Sequence, residues 1–397
     1  MPVLTSEVDL AAPDFAADPY PALAELRRRG PLVWHAPTQM WLATTHAAVS
    51  ETLRSRSLGR LWADRQPAQR FGTFNALHRN QMMENEPPVH TRLRRLVAGA
   101  FGRGHVARMR PRVERIAADL LDALPEQRCD IVAAYAAPLP VRVVADLLGV
   151  PGSDWQQLRD WSQAIVRMYE YGRSQELESA AERASKQFDA YVRALVAERR
   201  QHPGADLISD LVAERDGVSA LSDDELVASV VLLLNAGHEA SVNTFGNGLV
   251  ALLRHPDQMG RLAGDDAVAT ALEEMLRYDA PLQLFERTAT ADVTIAGVAM
   301  RRGEKVAALM GSANRDDAVF EAPERFQVGR TPNPHVGFGV GVHFCLGAPL
   351  ARMELQVGLR ALLGGYPHLR LVGEPLRRPT FVLRGYSRID VDLGAAA

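Results

Sequence analysis

Cysteine is nearly absent from this chain. Cys129 and Cys345 are the only two, which excludes a disulfide framework and a four-cysteine zinc or iron–sulfur site. Lysine is as scarce, with only Lys186 and Lys305, so arginine supplies the positive charge. The formal net charge is -3. That balance gives no reason to expect nucleic acid or an anionic membrane as partner. Long apolar runs are missing too. The longest within a predicted helix, Leu226 to Leu234, is interrupted by Ser229 and falls far short of the ~20 residues of a membrane span. Met1 to Asp18 is polar and acidic, without the basic start and apolar core of a signal peptide. Two cysteines and no export signal predict a reducing, cytoplasmic setting. No Gly/Ser linker, low-complexity tract or internal repeat divides the sequence. A single domain over 1–397 is therefore expected, with loose ends at 1–17 and 394–397.

Helical periodicity dominates what is present. Pro21 to Arg29 predicts a helix stopped by Gly30, and His46 to Arg56 predicts another. Between them, Val33–His35 and Met40–Leu42 flank a Pro37-Thr38 turn and predict a hairpin. Ser57 to Glu86 has no clean period, and so long an irregular stretch is usually functional. Pro87-Pro88 opens a helix, since proline suits a first helical turn. Helices follow to about Arg200, among them a pair over 154–171 and 174–201. Strand-like pieces return at 293–295, 306–309 and 380–383.

Ser222-Asp223-Asp224-Glu225 is a capping box, opening a helix that can run to about Arg254. Its middle, Val230 to Ala236, is apolar all round, which predicts burial. Gly237, Glu239 and Ser241 then fall together, a combination that invites a local break in the helical ladder.

The most informative run is Phe338-Gly339-Val340-Gly341-Val342-His343-Phe344-Cys345-Leu346-Gly347. Glycines at 339 and 341 let backbone press against a large flat ligand. Phe338 and Phe344 are placed to shield the thiol. The first amides of the helix behind it are placed to stabilise a thiolate. A solitary thiolate of this kind can ligate haem iron from one side and leave the other side open.

The run resembles the haem-ligand signature of the cytochrome P450 family, Phe-Gly-x-Gly-x-His-x-Cys-x-Gly, at every fixed position, and the resemblance extends from about Asp18 to Leu393. It implies a mainly α fold with a small β region, one large helical domain enclosing haem b, with Cys345 as the metal ligand. Ala236-Gly237-His238-Glu239-Ala240-Ser241 matches the family's distal helix motif. By that resemblance Gly237 leaves room for the ligand and Glu239 belongs to the proton route. The usual threonine is here Ala240, which leaves Ser241, about 100° further round, Glu239, an ordered water or a substrate hydroxyl to direct the proton, with Ser241 favoured as the water's anchor. His238 is not expected to ligate iron. His90, Arg94, Arg287 and His343 match positions that hold the haem propionates, Arg287 just before the small sheet. Glu274 and Arg277, joined by Arg325, match a structural triad.

The implied function is a bacterial monooxygenase of secondary-metabolite or xenobiotic type, inserting one atom of O2 into a C–H bond of a small, largely apolar molecule. The chain is expected to act as a monomer without a membrane anchor. Lacking a dinucleotide fingerprint or cluster cysteines, it would draw electrons from a ferredoxin and an NAD(P)H-dependent reductase, with Arg92, Arg95 and Arg352 as a docking face. Two rivals are an enzyme of oxidative coupling or dehydrogenation without oxygen insertion, and a non-enzymatic haem sensor or carrier. The expected pocket walls are 60–83, 154–171, 233–236, 282–285 and 381–382.

Overall fold

The predicted capping box forms as expected. The Ser222 hydroxyl accepts from the Glu225 amide at 3.2 Å, and the Glu225 carboxylate accepts from the Ser222 amide at 2.9 Å. In this computed structural model, which describes residues 4–213, 221–262 and 264–394, the helix it opens is Asp223–Arg254. Residues 226–234 and most of 238–252 are buried. Helices packed around it include Gly72–Arg79, Pro138–Leu148, Trp155–Val166, Gln175–Gln201, Asp265–Tyr278 and Ala348–Gly365. It is the one helix among the described residues long and apolar enough to cross a membrane, and other helices enclose it instead. The expected break at Gly237–Ser241 does not occur. The helix is continuous there, and side-chain donors reinforce it: His238 Nδ1 meets the Leu234 carbonyl at 2.7 Å and Thr244 Oγ1 donates to the Ala240 carbonyl at 2.7 Å.

The β structure lies to one side. Leu32–His35 and Met40–Ala43 form the predicted hairpin. Its second strand pairs with Lys305–Leu309, which pairs with Leu284–Ala289, and Leu58–Gly59 closes that edge. Arg287 is thus inside a sheet strand, not just before the sheet. Thr5–Ser6 adds to the far edge, and Pro13–Ala17 is helical with Phe15 buried. Much of the N-terminal segment expected to be loose is therefore fastened. The expected loose residues 395–397 lie outside the described residues.

Two expectations about local structure fail for identifiable reasons. The stretch 57–86 contains a helix, Gly72–Arg79, whose Phe74, Leu77 and His78 are buried; Phe71, Phe74 and His78 carry a helical period that surrounding charges obscured. The segment 380–383 is not a strand. Beyond one bridge between Leu282 and Leu383, it is pinned by the Glu170 carboxylate, which accepts the amides of Phe381, Val382 and Leu383 at 2.8–3.0 Å.

Glu274 has no exposure and accepts from Arg277 at 2.7 Å through both oxygens. The third member of the triad is Arg330, whose Nε reaches Glu274 at 3.1 and 3.2 Å. Arg325, expected in that role, is exposed; it contributes only its carbonyl, which accepts from Arg277 and Arg330. The reason is chain direction: the coil turns at Ala322–Arg325, and the next arginine along points back at the buried carboxylate. Removing one partner of a buried ion pair costs about 3–5 kcal/mol. Arg330→Ala should therefore lower stability by about that much, whereas Arg325→Ala should stay within ~0.5 kcal/mol; urea midpoints of the two variants decide between the assignments.

Candidate active site

A cavity of about 720 Å³ lies between the central helix and the cysteine loop. Cys345, Phe338, Gly339, Gly237, Glu239, Ala240, Ser241, His90, Arg94, Arg287 and His343 all line it. Every candidate site residue from the sequence is thus brought to one place.

The loop geometry follows from its glycines. Gly339 and Gly341 sit at φ +67 and +79, a region that side chains disfavour, and a Cβ on Gly341 would run into the Leu53 carbonyl. The Cys345 amide donates to the Phe338 carbonyl at 2.9 Å, which closes the loop. Burial pushes the Cys345 thiol up, against the opposing pull of the Gly347 amide, Arg94, the Ala348 amide and Arg352. Phe338 is held under the Arg352 guanidinium at 4.4 Å. Phe344, expected to shield the sulfur, lines the same cavity, is 40% exposed, and its carbonyl accepts from Arg94 at 2.8 Å. Arg352 is fastened to Glu273 at 2.6 and 2.8 Å, and Arg92 to Glu225 at 3.2 Å, so two of the three expected docking arginines are engaged in ion pairs within the chain.

The basic groups on the rim are under-compensated. The His90 and His343 rings lie 4.5 Å apart, tilted by 56°, and only His343 reaches a carboxylate, Glu86, at 2.7 Å. Burial, then His343 and Arg94, lower His90 to about 4. Arg287 is 3% exposed and donates to the Glu286 carbonyl at 2.9 Å. Burial and the nearby Arg60 lower its guanidinium to about 10. A buried cation in this state calls for an anionic partner. Two cations beside a glycine-flattened loop with an inward thiol fit the propionates and plane of haem b.

The distal side departs from expectation in two ways. The absent side chain of Gly237 faces Val144, whose Cγ2 a Cβ would approach to 2.8 Å. Close helix packing therefore also requires the glycine, which lines the cavity as well. Glu239 is fully enclosed and bound by Arg378 at 3.1 Å. Burial alone would raise its carboxyl, but His238 and Arg378 outweigh that and hold it below the ordinary range. A second cavity of about 330 Å³, lined by Arg378, Glu170 and Ser387, also reaches Glu239. His238 does not line the main cavity, as expected for a histidine that is no iron ligand.

Ser241 donates to Glu354 Oε1 at 2.7 Å. Glu354 lies on the helix behind the cysteine loop and was not foreseen, although Leu350, Glu354 and Gly358 mark the i, i+4 buried face of that helix. Thr244, which lines the cavity beside Ala240, was also not foreseen. Burial raises Glu354 to about 8, the Ser241 bond opposing only in part. The folded protein then keeps this proton up to about pH 8 while the unfolded chain loses it near the ordinary carboxylate value. Stability from this group is complete at acid pH and falls as pH rises to about 8. Glu354→Gln should remove that slope, so its urea midpoint should gain on the wild type as pH rises from 5 to 8, by at most about 1.4 kcal/mol per pH unit.

Comparison with known proteins agrees with this geometry. The family model described as Cytochrome P450 matches residues 128–265 and 267–382. The chain is 36% identical to cytochrome P450 monooxygenase PikC of Streptomyces venezuelae, over 95% of this chain and 92% of that protein. It is 37% identical to the vitamin D(3) 25-hydroxylase of Pseudonocardia autotrophica, covering 98% and 97%. Among solved structures it superposes on P450BioI, crystallised with a ligated acyl carrier protein, at TM-score 0.91 and 32% identity, covering 96% and 99%. A fold built round one buried helix, a glycine-kinked cysteine loop and these relatives over nearly the full length identify the chain as a member of the cytochrome P450 family, a haem-thiolate monooxygenase.

Proposed function

We propose that Cys345 is the thiolate ligand, that His90, Arg94, Arg287 and His343 hold the propionates, and that Ser241 with Glu354 supplies protons for oxygen insertion into a mid-sized, largely apolar molecule. The net reaction, RH + O2 + 2 electrons + 2 protons giving ROH and water, needs both electrons and protons brought in. Haem, when bound, supplies the oxygen chemistry, driven by electron density from the thiolate. The chain's own residues orient the substrate and govern protons.

The single observation carrying the proton assignment is the 2.7 Å contact between Ser241 Oγ and Glu354. Glu354, raised to about 8, holds a proton at neutral pH, and either oxygen can donate across that distance as hydroxyls rotate. Ser241 Oγ can thus pass a proton toward the cavity and take one back from Glu354. Glu239, between the two cavities, is a separate entry for protons through water. Ala240 offers only a methyl group, so no side chain at that position competes.

The substrate pocket is lined by Leu232, Leu233, Val166, Leu282 and Val382, with Arg60, Tyr169 and Asn235 interspersed. This favours a polyketide, terpenoid, steroid or cyclic peptide, and relatives include the nocardicin C N-oxygenase and a polyketide-biosynthesis P450. Electrons come from a ferredoxin and its reductase. A second reading, oxidative coupling, is supported by Ala240 and by likeness, at TM-score 0.89 and 30% identity, to CxnD, a P450 for C–S bond formation. Product mass under labelled O2 separates the two.

The reduced carbon monoxide complex should show the long-wavelength band of thiolate ligation, lost in Cys345→Ala. Arg94→Ala and Arg287→Ala should keep the band but retain less haem per protein after gel filtration. A histidine-type band in fresh wild-type protein would overturn the ligand. Ser241→Ala and Glu354→Gln should each divert NAD(P)H to peroxide and slow product formation by roughly 10²-fold, the low end for a positioned acid or base. If coupling survives in both, while substrate analogues lacking a hydroxyl become uncoupled, the proton comes from the substrate instead.

A further inference from the structure

Away from the cysteine loop, Arg65 and Arg173 both line the main cavity. The Nε of each is buried and without a hydrogen-bond partner. Burial, and then the Arg65 charge, lower the Arg173 guanidinium, so the two cations lie within electrostatic reach of each other. Like charges facing one cavity with buried, unused donors are unfavourable unless an anion joins them.

The carboxylates nearby are already committed. Asp64 is taken by Arg79 and by Trp62 Nε1 at 2.9 Å, and Glu84 by Arg60. Glu286 accepts from Tyr171 at 2.8 Å, with Lys305 at 4.0 Å. Glu170 accepts three backbone amides, and Glu182 the amides of Thr73 and Phe74. Glu178 is the one shared acid: Arg70 holds it at 3.3 Å, and Arg173 reaches it only at 3.9 Å. Among the described residues no carboxylate pairs with Arg65. The pair is also separate from the rim cations. The charges that act on Arg287 are those of Arg60, Glu86 and Glu84, and neither Arg65 nor Arg173 is among them.

We infer that Arg65 and Arg173 form an anion subsite of the substrate pocket, which takes a carboxylate or phosphate ester carried by the substrate at a distance from the carbon that is oxidised. This rests on the reading of the cavity as a haem and substrate pocket. Apolar walls accept the body of the molecule, and the two guanidinium groups fix one end, which sets the position presented to the cysteine side. Arginine suits the task because its planar fork pairs with such anions through two parallel donors.

The test uses the ferric, haem-loaded protein and the spin-state change on titration with dodecanoic acid, dodecyl phosphate and dodecanamide, chains equal in length and differing in charge. The acid or the phosphate should bind about 10-fold tighter than the amide, as expected for a charge-assisted bond, and the tighter of the two identifies which anion the site takes. Arg65→Gln and Arg173→Gln should each remove most of that preference while leaving the amide unchanged, and Arg65→Lys should restore part of it. Equal binding of acid and amide, no response to either anion, or a preference that survives in both Gln variants overturns the subsite. Imidazole, which binds iron directly, serves as the control. A wild type that responds to imidazole but not to charge loses only the subsite, whereas one blind to imidazole loses the haem reading and the subsite together.

Discussion

A carboxylate withdrawn entirely from water must be surrounded by donors, and Glu274 is so placed. Its oxygens accept from Arg277, Arg330, the Gln327 amide and, at 3.3 Å, Asn333. Arg277 in turn donates to the carbonyls of Asn314, Pro323 and Arg325. One buried charge thereby ties a core helix to the coil 314–333, which otherwise has little regular structure of its own. That coil leads directly into the cysteine loop. The position of the Cys345 thiol relative to the central helix therefore depends on an ion pair that touches neither haem nor substrate.

The cavity shows the opposite economy of charge. Around Glu274 every donor has an acceptor, but along the cavity wall several basic side chains have no close carboxylate or keep a donor unused. His90 and Arg287 are depressed by burial and by neighbouring positive charge. Arg65 and Arg173 keep unused donors. Folding against such costs is sustained by the large core around them, and the proposed propionate and anion contacts would make good the deficit. The same low-dielectric setting that makes an unpaired cation costly makes its pairing with a ligand selective.

On the distal side, polarity is concentrated in two buried acids with opposite tendencies. Glu239, bound by Arg378 and beside His238, stays ionised. Glu354, with only a serine hydroxyl for company, holds its proton. Two carboxyls about one helix segment, one held ionised and one held protonated, are what the proposed proton roles rest on. Ala240 carries no hydroxyl, and the nearest ones on this helix, Ser241 and Thr244, both line the cavity.

By itself the sequence determined the helical character, the capping box at Ser222, the hairpin at 32–43 and the ten-residue cysteine loop. These are local: glycine conformations, a cap and an apolar period act over a few residues, so their signal is contiguous. It also marked the residues that converge on the cavity, because a matched run carries its site residues with it. Only the tertiary structure decided what each faces. Arg330 replaces Arg325 because the coil reverses before it reaches Glu274. Gly237 packs on Val144, and the Phe344 carbonyl accepts from Arg94. Glu354 meets Ser241 across 113 positions, and Arg65 and Arg173 reach one cavity from separate segments. Pairings of that kind depend on how helices cross and which buried charges remain without partners, and neither quantity is written in any short stretch of chain.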